Sequence, residues 1–226
     1  MHAQKEEMNK PEQLKGKKKQ MRQTQLIDAA EKIFINLGYD ATTLEMITDD
    51  LGYNKRTFYL YFRDKDDIFF AVLLRTLEAL DTRMHEAAAT RITGLDKLQS
   101  LGMAYFTYFI ENPVFFEFNR TFEARNYYYR RNPNSESGEF ASNCLRVNDK
   151  ITDLLISCIK LGMKDKSIKV KIDAKKLMLI LWGMSLGTLE VILMRQKQLD
   201  ATYQTSADEI FRTYLTFIKK FLDGEN

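Results

Sequence analysis

Apolar residues recur along this chain at helical spacing almost throughout, and turn residues separate the runs. Leu26, Ile27, Ala30, Ile33, Phe34 and Leu37 return at three- and four-residue intervals, which predicts a first helix over 21–37. Ile27, Ala30, Phe34 and Leu37 mark its inner face. Gly38 stops the helix, because glycine accepts a left-handed backbone without a Cβ penalty. Thr42 and Glu45 form a capping box for a second, short helix with Leu44, Ile47 and Leu51 on its inner side, ended by Gly52. Asn54 caps a third helix over 55–62. Asp64 caps a long fourth over 65–89, in which Ile68, Val72, Leu73, Leu77 and Leu80 keep the period. Another helix is predicted over 95–110. Asn112 then caps one that opens on Pro113 in its first turn and runs toward Arg125. Residues 127–136 form a polar loop, and helices follow over 139–163, 173–198 and 206–222, the last opened by a Ser206/Glu209 capping box. Residues 167–172 alternate briefly, but no convincing strand emerges. The chain reads as all-α, with about nine helices of ordinary globular length.

The two short helices on either side of Gly52 have the spacing of a helix-turn-helix. In that motif the first short helix braces across the DNA backbone while the second enters the major groove. The second must therefore present cationic, polar and aromatic groups outward, and Lys55, Arg56, Thr57, Tyr59 and Tyr61 do so. Phe58 and Phe62 take the inward side. Lys65 lies just beyond, placed for a phosphate. Glu45, Asp49 and Asp50 on the bracing helix oppose a polyanion, so they point away from the duplex or hold basic side chains in place.

The run from Thr43 to Lys65, with Gly52, Thr57-Phe58-Tyr59, Phe62 and Lys65 as its most specific residues, resembles the signature of TetR-family regulators. The preceding segment ending Ile33-Phe34-Ile35-Asn36-Leu37-Gly38-Tyr39 resembles that family's opening. The likeness covers about 24–70. It departs at Thr48, where the family usually has alanine, at Tyr53 and Asn54, where it often has valine and serine, and at Tyr61, where histidine is common. The resemblance implies that Thr43, Tyr59, Tyr61 and Lys65 contact phosphate and that Lys55, Arg56 and Thr57 face the bases. Asn54 keeps its capping role at the edge of that surface. Arg56 is the residue suited to guanine, whose O6 and N7 match its fork. The resemblance also implies the layout: a basic arm over 1–20, a helix-turn-helix domain over 21–65, and a ligand-binding and dimerisation domain over 66–226. The partners it implies are double-stranded operator DNA, a second copy of the chain, and a small effector. Repression relieved by a hydrophobic or aromatic effector is its usual mode. A rival reading is a helical carrier of small molecules with a non-functional DNA-binding domain.

In the larger part, the apolar runs 177–194 and 210–222 are rich enough for a four-helix dimer interface, with Leu186, Leu189, Leu193, Tyr214, Phe217 and Phe221 as its candidate residues. An ordinary intradomain core fits the same pattern. The aromatic middle offers Tyr105, Phe109, Phe116 and Trp182 as candidate pocket residues, with Arg120 and Glu190 to orient a ligand. Glu123 and His85 are further polar candidates. The same aromatics also suit a solid core.

Composition changes this picture little. The chain has 34 basic and 31 acidic residues, a net charge of +3, so DNA attraction must come from local placement. Lys5, Lys10, Lys15, Lys17, Lys18 and Lys19 make 1–20 a flexible basic arm, either a solvated tail or a phosphate-seeking extension. The stretch 177–194 sits at the lower length limit of a membrane span, and Glu190 within it favours a buried helix over a membrane one. Cys144 and Cys158 are too few for a disulfide framework and suit buried thiols in a reducing cytoplasm; no stretch near the N-terminus has the form of a secretory leader. With only His2 and His85 as histidines, and no phosphate-binding loop, dinucleotide fingerprint or Cys/His set, no cofactor, metal site or enzymatic activity is expected.

Overall fold

The computed structural model describes the backbone of residues 3–131 and 138–224 and the side chains of residues 14–124 and 138–224. The elements are α1 (Ala3–Ala41), α2 (Leu44–Asp49), α3 (Lys55–Phe58), α4 (Lys65–Ala89), α5 (Gly94–Glu111), α6 (Pro113–Arg131), α7 (Glu139–Asp165), α8 (Ala174–Arg195), α9 (Leu199–Tyr203) and α10 (Ala207–Asp223), with a 3-10 turn over Gln196–Gln198. No strand occurs among the described residues. The chain forms two compact units: Met1–Arg75 with Asn134–Cys144, and Thr76–Pro133 with Leu145–Asn226.

The first unit is organised by α1. Gly38 breaks it with φ 78°, a backbone that only glycine takes without strain. The buried stripe of α1 is Leu26, Ala29, Ala30 and Phe34, whereas Leu37 is exposed. The inner face therefore sits about one position earlier than the predicted stripe. The segment expected to be a flexible arm is helical from Ala3 onward. Its lysines, glutamines and glutamates are good helix formers, and α1 continues from them without a break. The cap of α2 is also displaced by one residue. Thr43, not Thr42, accepts the Met46 N–H, and the buried Thr42 hydroxyl donates instead to the Gly38 carbonyl at 2.7 Å.

Ile47, Phe58, Phe62 and Phe69 complete this small core. Phe34 meets Phe69 edge-on at 5.7 Å, a favourable arrangement for two ring quadrupoles. Thr48, where a small apolar residue was expected, is buried without penalty because its hydroxyl donates to the Leu44 and Glu45 carbonyls, both at 3.1 Å. Asp64 caps α4 as predicted, accepting the Asp67 N–H at 2.8 Å. Cys144 is buried, its thiol donating to the Phe70 carbonyl.

In the second unit α5 and α7 approach closely through two glycines. A Cβ on Gly94 would lie 2.0 Å from the Gly162 nitrogen, so no larger residue fits there. The Asp165 carboxylate accepts the Gly94 N–H at 2.8 Å and the Ser167 hydroxyl accepts the Leu95 N–H at 3.1 Å, satisfying orphan donors at the start of α5. Leu95, Leu98, Ile159, Ile168, Leu177 and Leu222 pack around this junction. Cys158 is buried beside it, and burial pushes its thiol pKa up despite the nearby Lys97. Asp173 and Ser206 cap α8 and α10 with their side chains. Helix α6 runs on to Arg131, past the predicted loop start, and the rest of that predicted loop lies largely outside the described residues. The short α9 was not anticipated.

Candidate functional site

The turn between α2 and α3 has the predicted local chemistry. Gly52 adopts φ +65°, and the Asn54 side chain accepts the Thr57 N–H at 2.9 Å, fixing where α3 begins. The Thr57 hydroxyl donates to the same Asn54 oxygen, so Thr57 belongs partly to the cap. Helical hydrogen bonds continue past α3 to Tyr61 and Phe62, so the rod spans the predicted length. Phe58 and Phe62 are buried beneath it, while Lys55, Arg56 and Tyr59 are exposed and Tyr61 is half-exposed. Arg56 makes no hydrogen bond or ion pair among the described residues and is free to reach a base edge. Tyr59 is 55% exposed, which removes it from the core. Thr43 is exposed next to this row.

Two of the three carboxylates on and beside the bracing helix hold cations. Glu45 pairs with Lys55; this bond keeps the Glu45 carboxyl below, and the Lys55 ammonium above, their ordinary pKa values. Asp50 pairs with Lys32 at 3.4 Å. The partner of Tyr53, Gln25, was not legible in sequence; its carbonyl accepts the tyrosine hydroxyl at 2.9 Å.

Lys65 is engaged inside the protein. Its Nζ donates to the carbonyls of Tyr39 at 2.9 Å, Thr42 at 3.0 Å and Asp40 at 3.4 Å, and it sits 4.2 Å over the Tyr39 ring. It clasps the link between α1 and α2, which no spacing argument could foresee, because the acceptors are backbone atoms that converge only in the fold.

The second unit contains a cavity of about 450 Å³. Leu77, Leu101, Ile159, Met178, Leu181 and Ile218 supply apolar walls from α4, α5, α7, α8 and α10. Polar lining comes chiefly from α6 and α7: Asn119, Glu123, Asn148, Asp149 and Thr152. Of the predicted pocket residues, Tyr105 and Trp182 line it. Phe109 and Phe116 do not; both are buried and packed edge-on at 5.4 Å, and Phe116 instead lines a smaller pocket of about 280 Å³ with Arg120 and Glu190. Arg120 and Glu190 lie outside the larger cavity and line that smaller one, paired with each other at 3.3 Å across α6 and α8. His85 is spent on Asp81, one turn earlier. Glu123 is the one polar candidate that reaches the cavity. Asn119, Asn148, Asp149 and Thr152 were missed, since single polar residues on amphipathic helices look like ordinary surface.

Residues 26–72 match the family model for bacterial regulatory proteins of the tetR family. The match covers the helix-turn-helix segment, so residues 26–72 are of the tetR type. Among curated relatives, it is 32% identical over 91 residues to the HTH-type transcriptional activator FasR of Mycolicibacterium smegmatis, covering 40% of this chain and 41% of that one. It is 30% identical over 82 residues to the fatty acid metabolism regulator protein of Bacillus subtilis, covering 36% of this chain and 42% of that one. The chain thus spans about two fifths of the length of the curated relatives it matches. The likeness in fold is wider. The structure of FadR from Bacillus subtilis in complex with stearoyl-CoA superposes with TM-score 0.67 at 17% identity, over 88% of this chain and 98% of that one. A TetR/AcrR regulator from Thermobifida fusca gives TM-score 0.62 at 21% identity, over 91% of this chain and 98% of that one.

Outside that segment, α8 and α10 carry an exposed apolar surface. Ile180, Met184, Val191 and Met194 are exposed on α8, at three-, four- and seven-residue spacing on one side. Gly183 and Gly187 lie among them, and a Cβ on either would meet nothing within 4 Å. Phe217 and Phe221 are exposed on α10. The other predicted interface residues divide differently. Leu189 is fully buried within the chain, since it falls on the inner face with Leu181 and Ile192. Tyr214 lines the cavity, its hydroxyl bonded to Ser185 at 2.8 Å. Leu186 and Leu193 are half-buried. The span Ala174–Tyr203 is long and apolar enough to cross a bilayer by length and composition, with mean hydropathy 1.9 in its most apolar window. Glu190 on it is ion-paired to Arg120.

Proposed function

We propose that this chain is a homodimeric cytoplasmic regulator of transcription that holds operator DNA through α3 and releases it when a small apolar or aromatic effector fills the cavity. One observation carries the reading: the outward row Lys55, Arg56 and Tyr59, set on a rod whose start is fixed by Gly52 and the Asn54 cap and whose underside is buried phenylalanine. Such a rod suits the major groove, and Tyr61 and Thr43 flank it for phosphate. The exposed face of α8 and α10 supports pairing with a second copy, since obligate interfaces resemble a core cut in half. Two copies would set two recognition helices about one turn of duplex apart, ~34–36 Å. The effector acts only through its different affinity for the DNA-fitting and non-fitting dimers. The reading as a repressor follows: the ligand-free form is the one that occupies DNA.

The test is fluorescence anisotropy with duplexes tiled across the DNA upstream of the chain's own coding region, at low and moderate salt. Saturable binding to one tile over its neighbours is expected. A protein that takes small molecules into its cavity yet ignores every duplex at low salt would instead be a carrier with a non-functional DNA-binding domain.

A further inference from the structure

The N-terminal part of α1 carries a charge pattern for which the small core of the first unit has no use. Between Leu14 and Ile27 the sequence holds five cations, Lys15, Lys17, Lys18, Lys19 and Arg22, and no acid. All five are exposed, and none makes a side-chain ion pair or hydrogen bond among the described residues. Lys15, Lys18, Lys19 and Arg22 stand at three-, four- and seven-residue spacing, which gathers them on one side of the helix; Lys17 falls on nearly the opposite side. Like charges at that spacing repel, so the stripe works against the bare helix. It also has a direction. Leu26 follows Arg22 by four residues, and Leu26, Ala29 and Ala30 are the buried face of α1. The cations therefore continue, past the edge of the core, the face that packs on the helix-turn-helix.

A second observation places the stripe beside the recognition rod. Gln25 holds the Tyr53 hydroxyl where the rod begins, and Lys19 and Gln23 line a groove with Leu60 and Tyr61 where it ends. Arg63, Asp67 and Glu139 line that groove too, with Asp67 bonded to Arg63. Its acids make the groove itself a poor seat for an anion; what it establishes is that Lys19 stands beside Tyr61. Helix α1 thus runs along the rod from Tyr53 to Tyr61, and Lys15 lies one turn, ~6 Å, farther out.

We infer that Lys15, Lys18, Lys19 and Arg22 form a phosphate-binding stripe that extends the duplex-binding surface beyond the helix-turn-helix and grips DNA backbone outside the base pairs that α3 reads. A polyanion supplies the opposite charge that the stripe lacks inside the protein, and the surface is continuous with Tyr61 through Lys19. The stripe adds affinity and salt dependence but no base preference, because phosphates carry no sequence information. The inference rests on the reading of α3 as the DNA-binding rod.

The test is the salt dependence of anisotropy binding, with the full chain and the duplex that the wild type selects. Lys19→Gln should lower the slope of log affinity against log salt by ~0.9, and the triple variant Lys15→Gln, Lys18→Gln, Lys19→Gln by ~1.8 or more. Lys17→Gln removes the same charge from the opposite side and should leave the slope at the wild-type value. Relative affinities among singly substituted duplexes should stay as in wild type throughout. The exchanged side chains are all exposed, and far-UV circular dichroism checks the helix; if the triple variant loses helix, Lys19→Gln against Lys17→Gln decides alone. Equal losses from Lys17→Gln and Lys19→Gln would overturn the stripe, since the attraction would then be diffuse charge. A triple variant with intact helix and wild-type slope would overturn it too, while leaving the DNA-binding rod standing. Lysine-dependent binding to phosphatidylglycerol vesicles, tighter than to the duplex, would overturn DNA as the occupant. A wild type that binds no duplex at low salt removes the stripe and the DNA reading together.

Discussion

Replacing Lys65 with methionine separates the phosphate contact expected from sequence from the internal clasp found in the fold. Methionine keeps the apolar stem and removes the ammonium. The structure gives that ammonium two good hydrogen bonds, to the Tyr39 and Thr42 carbonyls at 2.9 and 3.0 Å, a longer one to Asp40, and a position over the Tyr39 ring. Hydrogen bonds to a charged group contribute ~1.5–3 kcal/mol each, and partial exposure argues for the low end, so the substitution should cost about 2–3 kcal/mol. For a chain of this size each kcal/mol moves the melting temperature by ~2–4 °C, which places the expected fall at about 5–10 °C. Circular dichroism melting measures it. The second measurement is the salt dependence of duplex binding. A lost phosphate contact lowers the slope of log affinity against log salt by ~0.9. A lost internal clasp leaves the slope alone and weakens all duplexes together, because the link between α1 and α2 is looser. A variant that melts like wild type but loses ~0.9 in slope would refute the clasp and return Lys65 to the DNA.

Arg56→Ala should relax preference at one base pair and cost ~1–3 kcal/mol of discrimination, read by competition among singly substituted operator duplexes. Phe217→Asp places a charge on the exposed face of α10 and should shift the proposed dimer to monomer in analytical ultracentrifugation without lowering helix content. Asp165, held below the ordinary carboxylate range by hydrogen bonds from Ser167 and Gly94, contributes stability above its unfolded pKa of 3.8 and loses it as pH falls through the lower folded value. Asp165→Asn should therefore flatten the acid limb of the melting profile.

How much of this was legible depended on whether the signal was local. The caps at Asn54, Asp64 and Ser206 and the break at Gly38 each involve atoms within about one turn, and sequence places them well. The same kind of signal missed at Thr42 and Thr43 by one residue, because two adjacent threonines offer identical capping chemistry and only the fold decides which hydroxyl turns back toward Gly38. Exposure on α3 was legible, since Phe58 and Phe62 one turn apart define the inner side and leave Lys55, Arg56 and Tyr59 outside. Partners across the fold were not. Nothing near Lys65 in sequence announces the Tyr39 and Thr42 carbonyls, and nothing near Arg120 announces Glu190.

The apolar run of α8 shows why the cavity and the outer face were confounded. Periodicity finds one face when the opposite face is polar, but α8 is apolar on both. Its inner side carries Met178, Leu181, Trp182 and Ser185 into the cavity lining, and its outer side carries Ile180, Met184 and Val191 into open space. Leu189, chosen for the outside, belongs to the inside, where it is fully buried. The arrangement also bears on the proposed mechanism. A helix is a stiff rod, and the residues that would touch an effector stand one or two positions from those that would touch a second copy. A ligand that turns α8 to make room for itself therefore re-aims the outer face by the same angle, and close-packed interfaces respond to such shifts by changing between discrete arrangements. No long relay of side chains is required: the wall of the cavity and the seam of the proposed dimer are two sides of the same helix.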